Sequence, residues 1–266
     1  MLKKIRNFLY DTNVLNVNVD SNKLAKINLN ILKKKILLKS AYKTFYEDMS
    51  EICDKYFINK GLEIELGSGT GFFKKIRNKV ITSDIRPGLR CNMKIDAMNM
   101  RLKKDSVKCI YAINVFHHIS NPNKFFNELI RVLKKDGGCI LIEPHNGFIS
   151  RLIHTNACKD EYFDTDVEEW VYKKKVGPLS NANQALSYNI FERDKHKFLR
   201  KYGKHLRIIH KQYEINGLRF IFSGGLNFKQ LLPSFFLPFL FVLEKIFIPF
   251  AKFWTPFRMI VLKKVK

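Results

Sequence analysis

The sequence predicts an α/β protein built on a doubly wound, mostly parallel sheet. Short apolar segments of strand length alternate with amphipathic segments of helix length between residues 62 and 143. A glycine-rich turn directly follows the first apolar segment, LEIEL. A chain of 266 residues with 46% apolar composition can bury such a sheet between two layers of helices. Strands separated by helices imply right-handed crossovers and parallel neighbours.

The chain before the first strand is interpreted as an arm followed by a helix. Residues 1–30 are polar and rich in Asn and Lys, which predicts a loose arm with one short helix. Across residues 31–57, apolar side chains recur every three or four positions, which predicts a helix that ends before Gly61. We therefore divide the chain into an N-terminal arm with helices, residues 1–60, and a main domain, residues 61–266.

Five strands and two helices are predicted next. One helix begins at the glycine turn, over residues 71–77. The other begins at Asn121-Pro122, a capping residue followed by a first-turn proline, and ends at Gly137-Gly138. The predicted strands are Leu62–Leu66, residues 80–84, a segment ending at residues 93–96, residues 107–114 and residues 139–143.

The C-terminal half departs from this alternation in two places. Residues 145–204 hold an acidic patch and polar turns, and are interpreted as an insertion that caps the sheet. Strands are predicted at residues 206–215 and 259–265. The segment before the last strand, residues 226–256, is strongly apolar, but its stretch 231–254 contains three prolines and a central Glu244-Lys245 pair.

Three interpretations of this hydrophobic segment remain open. A membrane span needs about 20 apolar residues, and a single crossing would place the last strand on the wrong side of the membrane. A hairpin lying in the membrane interface fits the pattern better. A core helix, or a dimer surface packed against the sheet, fits equally well.

The net charge of +24 favours an anionic partner, either nucleic acid or a membrane surface, although a solvated basic face would give the same composition. The five cysteines form no C-x-x-C pair, and two of them, Cys109 and Cys139, fall in predicted buried strands. This pattern indicates a reduced, cytoplasmic environment rather than a disulfide framework or a zinc site, and no metal ligands are predicted. The N-terminus shows no secretory signal.

The motifs of the predicted sheet resemble class I S-adenosylmethionine-dependent methyltransferases of the type 11 kind. Glu65-x-Gly67-x-Gly69-x-Gly71 is similar to the first motif of that family, and an acid, Asp84, ends the next strand. Asp96-Ala97 and Asn114 follow the third and fourth strands, and residues 127–138, NELIRVLKKDGG, are similar to the family's helix and glycine turn. The resemblance covers about residues 60–145 and implies a seven-stranded, Rossmann-like methyltransferase fold. A dinucleotide site is the nearest rival, but its G-x-G-x-x-G pattern would need glycine at Phe72.

The resemblance implies S-adenosylmethionine as cofactor, bound at the carboxyl ends of the strands. Glu65 would face the methionine part, Asp84 would bind both ribose hydroxyls, and Asp96 would accept from the adenine amino group. The Ala97 amide would serve the adenine ring, and the Asn114 carbonyl would close the methionine side. The expected cofactor-binding residues are Glu65, Gly67, Ser68, Gly69, Gly71, Asp84, Asp96, Ala97 and Asn114.

Catalytic residues are less well defined. Three histidines, His117, His118 and His145, follow the fourth and fifth strands near the expected methyl group, and imidazole suits the role of a general base near neutral pH. The alternative is that His117 and His118 only shape the loop. Residues 145–204 and 226–256 are expected to recognise the acceptor.

The sequence motifs do not identify the methyl acceptor directly. The chain lacks both the [DN]-P-P-[FYW] motif of amino-group DNA methyltransferases and the Pro-Cys pair of cytosine carbon-5 enzymes. Residues 177–183 and Ser223-Gly224-Gly225 resemble segments of methyltransferases encoded with surface-polysaccharide genes. The favoured hypothesis is a surface glycan or lipid-linked sugar, methylated by a peripheral protein at the cytoplasmic membrane face, with residues 226–256 on anionic lipid. The alternatives are an RNA methyltransferase and a non-catalytic methyltransferase-like binding module. The oligomeric state is not predicted.

Overall fold

The computed structural model describes residues 8–86, 91–157, 161–172, 177–180 and 182–266. The strands in this part of the chain are β1 (Leu62–Leu66), β2 (Ile81–Asp84), β3 (Met93–Lys94), β4 (Val107–Ile113), β5 (Leu133–Pro144), β6 (Glu161–Tyr162), β7 (Ala182–Asn183), β8 (Leu206–Tyr213) and β9 (Phe257–Lys264).

Seven of these strands form one sheet in the order β3-β2-β1-β4-β5-β9-β8. The neighbours from β3 to β5 are parallel. The last strand, β9, inserts between β5 and β8 and is antiparallel to both. The two-residue strands β6 and β7 pair with each other in the capping segment. The predicted fold class, a mostly parallel seven-stranded sheet, is therefore confirmed.

The described part of the chain also contains the following helices. They are α1 (Asn22–Lys34), α2 (Ile36–Tyr56), α3 (Pro122–Val132), α4 (Phe148–Ala157), α5 (Leu186–Tyr188, continued by a π-turn at Asn189–Arg193), α6 (Lys195–Tyr202), α7 (Gly217–Ser223), α8 (Leu237–Ile246) and α9 (Ala251–Trp254).

The N-terminal region contains two helices, as the sequence predicts, but the boundary between them falls at Lys35 and not near residue 31. Ser21 caps α1 by accepting the Leu24 amide on its hydroxyl. The break falls at Lys35, whose backbone leaves the helical region. The Lys35 side chain is buried and donates to the carbonyl oxygens of Gly225 and Phe228, so the break serves a contact with the distant C-terminal segment.

Two predicted helix boundaries are wrong. The predicted helix over residues 71–77 is a single 3₁₀ turn, Phe72–Lys75, since the chain must return to the sheet at Ile81 within a few residues. The helix predicted to end at Gly137-Gly138 ends at Val132, and β5 begins immediately afterwards. Gly138 lies inside β5 opposite Cys109, where any side chain would collide with the buried Phe57 ring.

Helices cover both faces of the sheet. On one face, the α2 residues Phe45 and Met49 pack against Tyr111, Ile140 and Met259. On the other, residues of α3, α5 and α6 form a cluster with β4, β5 and β9. The C-terminal half of the predicted insertion therefore also contributes to the core. The proposed division of the chain at residue 60 stays a prediction.

The hydrophobic segment 226–256 is only partly buried. Leu240, Glu244 and Ala251 are buried, so the helices of this segment are anchored to the domain. Ten of its large apolar side chains are exposed to solvent: Leu231, Phe235, Phe239, Phe241, Val242, Ile246, Phe247, Ile248, Phe250 and Phe253. The segment is thus not a core element over most of its length.

Within the described residues, none of the helices taken singly has the length and apolar character of a membrane span. One pair, Ser234–Ile246 and Ile248–Trp254, reaches that length and composition only when its two halves are joined across a bend of 64°.

A buried ion pair anchors the segment. The Glu244 carboxylate on α8 accepts from Nε of Arg219 at 2.7 Å and from the Arg219 backbone amide at 2.9 Å. The same guanidinium donates to the hydroxyls of Ser40 and Thr44 on α2 at 2.7 and 3.1 Å. The charge in the middle of the apolar segment therefore ties α8 to α7 and α2.

We expect Glu244→Ala to lower the free energy of unfolding by about 3–5 kcal/mol, because it leaves the Arg219 charge buried and unpaired. Urea denaturation followed by circular dichroism measures the change. The matched control is Lys245→Ala, an exposed neighbour, which should change stability by less than about 0.5 kcal/mol. Equal stability of the two variants would contradict the anchoring role.

Candidate functional site

The turn after β1 is shaped by glycines with left-handed backbone. Gly67 has φ +63°, and a side chain there would collide with Val115 in the loop after β4. Gly69 has φ +46°, and a Cβ at this position would meet only the Gly67 carbonyl oxygen, at 3.9 Å. Gly67 is therefore required by packing, whereas Gly69 opens onto free space.

Ser68 fixes this turn to the neighbouring strand. Its backbone amide donates to the Ser83 carbonyl at 2.8 Å, and its hydroxyl accepts the Ser83 amide at 3.0 Å. The two bonds hold the glycine turn over the end of β2, which brings Asp84 close to it.

Asp84 lies at the end of β2 and faces the turn. Its carboxylate accepts the Gly69 amide at 3.2 Å, the Arg86 amide at 3.0 Å and two guanidinium N–H groups of Arg86, each at 3.2 Å. A carboxylate has about four acceptor positions, so two ribose hydroxyls would have to replace the guanidinium bonds. The sequence predicted Asp84 but not the arginine that covers it.

The predicted adenine-binding residues lie at the same edge of the sheet. Asp96 accepts the Met98 amide at 2.8 Å in a short turn, and Ala97 lies beside it.

Asn114, expected on the methionine side, follows β4 in a left-handed conformation, φ +53°. This conformation is costly for a residue other than glycine, and such residues are concentrated at functional sites. Its buried side-chain oxygen has no hydrogen-bond partner among the described residues.

Glu65 is buried beneath the glycine turn. One carboxylate oxygen accepts the Tyr46 hydroxyl at 2.9 Å, and the other has no hydrogen-bond partner in the described part of the chain. Burial raises the pKa of Glu65 to about 7, against the effect of the Tyr46 bond. An unsatisfied buried carboxylate oxygen fits an amino group such as that of a methionine moiety, so the residues present fit the expected cofactor.

These residues line one cavity of about 930 Å³, near the upper end of the usual range for small-molecule sites. Of the expected cofactor residues, Gly71 does not line the cavity; it precedes the 3₁₀ turn, and Thr70 lines the wall instead. The cofactor-binding roles themselves stay predictions. The expected residues that line the cavity are Glu65, Gly67, Ser68, Gly69, Asp84, Asp96, Ala97 and Asn114.

Apolar side chains from outside the parallel strands also line the cavity. Leu24 and Leu32 from α1 line it, although the sequence placed acceptor recognition only in residues 145–204 and 226–256. Those two regions also contribute, and their apolar lining residues include Leu152, Ile153, Leu179, Leu226, Phe228 and Leu231.

The three candidate histidines separate into two groups. His117 and His118 line the cavity, whereas His145 is not among the lining residues and contacts the Lys252 carbonyl at 3.0 Å. Burial lowers the pKa of His145. The sequence missed His154, which does line the cavity; burial lowers its pKa to about 4.

Glu143 orients His117. The fully buried Glu143 carboxylate accepts the amides of Val115 and Phe116 at 2.9 and 2.7 Å, and contacts His117 Nδ1 at 2.6 Å. Because a carboxylate that receives these bonds acts as an acceptor, Nδ1 carries a proton, and in the neutral imidazole Nε2 then carries the lone pair. Glu161 lies beyond, 3.8 Å from His117 Nε2 and 3.6 Å from His118 Nε2.

Two aromatic residues of the capping segment make structural hydrogen bonds. Trp170 is buried and donates from its indole nitrogen to Asp194 at 2.7 Å. Tyr172 donates to the His117 carbonyl at 3.0 Å, which holds the loop after β4. Residues 177–183 form the segment that resembles methyltransferases encoded with surface-polysaccharide genes. Within this segment, Asn181 lies outside the described residues.

Part of the chain matches a known protein family. Residues 64–141 match the family model described as a methyltransferase domain, a span that begins in β1 and ends in β5. No curated protein matches the chain.

Solved structures resemble the chain at low identity. A geranyl diphosphate C-methyltransferase from Streptomyces coelicolor A3(2) is 12% identical, with a TM-score of 0.45 over 97% of this chain and 89% of that one. A methyltransferase from Thermotoga maritima is 14% identical, with a TM-score of 0.47 over 91% of this chain and 100% of that one. Similarities at this level give no information about the acceptor.

We expect the affinity for S-adenosylhomocysteine to fall as the pH falls through 7. Glu65, with a pKa near 7, must be ionised to receive the ligand's ammonium, so binding should weaken about tenfold from pH 8 to pH 6. Calorimetric titration across this range measures the effect. Glu65→Gln should bind weakly with a flat pH profile; the same slope in wild type and variant would contradict the assignment.

Proposed function

We propose that the chain, an S-adenosylmethionine-dependent methyltransferase whose methyltransferase domain includes residues 64–141, methylates an amphiphilic acceptor at the cytoplasmic membrane face. The proposed acceptor is a lipid-linked sugar. The single observation that carries the proposal is the mixed lining of the cavity, in which polar groups near the glycine turn (the polar half) accompany apolar side chains from α1, α4 and the C-terminal segment (the apolar half).

The polar half suits the donor and the acceptor's head group. S-adenosylmethionine supplies an activated methyl group on a sulfonium, so positioning and exclusion of water account for much of the catalysis. On the cavity wall, Asn156, Glu161 and Gln184 offer amide and carboxylate groups to sugar hydroxyls. His117 and His118 lie on the same wall, close to the expected methyl group.

The apolar half suits a lipid chain. Its lining side chains come from the N-terminal helix α1, from α4 and from the C-terminal segment. Two of them, Leu152 and Leu231, are also exposed, with 58% and 44% of their surface accessible, and so connect the cavity with the outer surface. A lipid chain that contacts these exposed residues could therefore also contact the cavity lining.

The surrounding surface supports a membrane location. The exposed apolar side chains of residues 231–253, with Phe148 and Leu152 on α4, form what we call the apolar surface. Exposed basic side chains accompany it: Arg151, Lys229, Lys245 and Lys252. A basic side chain near an anionic bilayer contributes about 1 kcal/mol, so charge and apolar area favour the same partner.

RNA is the weaker alternative. A basic cleft of about 790 Å³ is lined by lysines from the starts of β1, β4 and β5 and the end of β9. Since β9 is antiparallel, all of these positions lie at the amino edge of the sheet, opposite the glycine turn. RNA held there would lie away from the methyl donor.

The direct test is methyl transfer into native extract. With radiolabelled S-adenosylmethionine, we expect label in the lipid fraction and background counts in the water-soluble glycan and RNA fractions. The control is Gly69→Val, whose side chain would enter the cavity beside the glycine turn. Label confined to RNA would overturn the proposal.

We expect the chain to bind phosphatidylglycerol vesicles, and replacing an exposed apolar residue with serine to weaken that binding. Val242→Ser and Ile246→Ser each remove an exposed side chain, so each should lower the affinity roughly tenfold. Sedimentation with vesicles measures it. Ile58→Ser, an 85% exposed residue before β1, is the control and should leave binding unchanged. Equal losses at all three positions would contradict the assigned surface.

A further inference from the structure

We infer that His117, His118 and Glu161 form a binding site for one divalent transition-metal ion, with Zn²⁺ as the best match. Within the described residues, these three side chains offer ligand atoms that all lie within 4.8 Å of one another. The site is additional to the methyl-donor site, and the inference does not depend on the identity of the acceptor.

The spacing of the ligand atoms fits a metal. Glu161 Oε2 lies 3.8 Å from His117 Nε2, and Glu161 Oε1 lies 3.6 Å from His118 Nε2. With metal–ligand bonds of about 2.0–2.2 Å, neighbouring ligands of a tetrahedral ion lie roughly 3.4 Å apart. These two separations, which involve different Glu161 oxygens, exceed this by a few tenths of an ångström, and the ligand atoms of all three residues lie within 4.8 Å of one another, so side-chain rotations must draw the ligands together around the ion.

The surroundings of His117 are those of a metal ligand. Metal-binding histidines almost always donate their second ring N–H to a carboxylate or carbonyl, which fixes the ring and makes the first nitrogen a better ligand. Glu143 provides this group at 2.6 Å from Nδ1 and is itself held by two backbone amides. Nε2, the nitrogen with the lone pair, is the atom that faces Glu161.

Glu161 is also oriented. Gln184 donates from Nε2 to Glu161 Oε2 at 2.5 Å, so the residue that directly follows β7 holds the third ligand. Both imidazoles come from the loop after β4, and Tyr172 supports that loop through the His117 carbonyl. The ligands are thus presented by two elements that the fold brings together.

The ligand set selects the ion. Two imidazoles and a carboxylate suit Zn²⁺ and its transition-metal neighbours, whereas Mg²⁺ and Ca²⁺ prefer oxygen ligands throughout. Three protein ligands leave a fourth position, as in catalytic zinc sites. All three residues line the central cavity, so that position faces the space next to the donor site and could take an oxygen of the acceptor.

A metal role and a general-base role exclude each other at His117, because both use the Nε2 lone pair. The sequence predicted a general base and no metal. Direct metal binding decides between these two roles without any assay of methyl transfer.

The test uses the full, untagged chain, freed of metal with a chelator. Zn²⁺ is titrated by calorimetry at pH 7, and Co²⁺ by visible absorption as a spectroscopic substitute. We expect one ion per chain, loss of binding in His118→Ala and in Glu161→Gln, and affinity about 10–100-fold lower in Glu143→Gln. His196→Ala, an exposed histidine on α6, is the control and should bind as wild type does.

Absence of Zn²⁺ and Co²⁺ binding in the wild type, or equal binding in the wild type, His118→Ala and Glu161→Gln, overturns the metal site. Circular dichroism checks that each variant is folded. If His118→Ala does not fold, Glu161→Gln, at a partly exposed position, still removes one of the ligands. S-adenosylhomocysteine binding is measured on the same samples. Intact cofactor binding with no metal binding removes only the metal inference, whereas loss of both removes the proposed function as well.

Discussion

The buried carboxylate of Glu143 determines the geometry of the whole site. By accepting the amides of Val115 and Phe116, it fixes the loop after β4. That loop places Val115 so close to Gly67 that no side chain fits there, and the same carboxylate turns the His117 ring. An unpaired carboxylate at this depth would be very costly, so the loop and the carboxylate stabilise each other.

The cavity joins two regions of different origin. Its polar half is built at the carboxyl edge of the parallel strands, where any doubly wound sheet can bind a ligand. Its apolar half is built from α1 and the C-terminal segment, which Lys35 connects through the carbonyls of Gly225 and Phe228. The apolar half therefore depends on contacts between the two ends of the chain, while the polar half depends on the sheet and on helix α2, whose Tyr46 donates to Glu65.

Local patterns in the sequence were sufficient to predict the sheet and to place Glu65, Gly67 and Asp84 on the cavity wall. An acid near the end of a strand, and the glycines that follow it, depend on a few adjacent residues. The cofactor-binding roles of these residues stay predictions. The partners Arg86, Glu143 and Glu161 were missed because their roles arise from contacts between separate loops. The helix predicted over residues 71–77 failed because apolar spacing alone does not measure how soon the chain must return to the sheet.

The central claim is that the space beside the glycine turn binds a sulfonium nucleoside through Asp84. Calorimetric titration of the purified chain with S-adenosylhomocysteine tests it most directly. The account predicts one binding site, its loss in Asp84→Ala, and unchanged binding in Glu169→Ala, which removes an exposed acid of the cap. No binding by the wild type, or unchanged binding by Asp84→Ala, would contradict it.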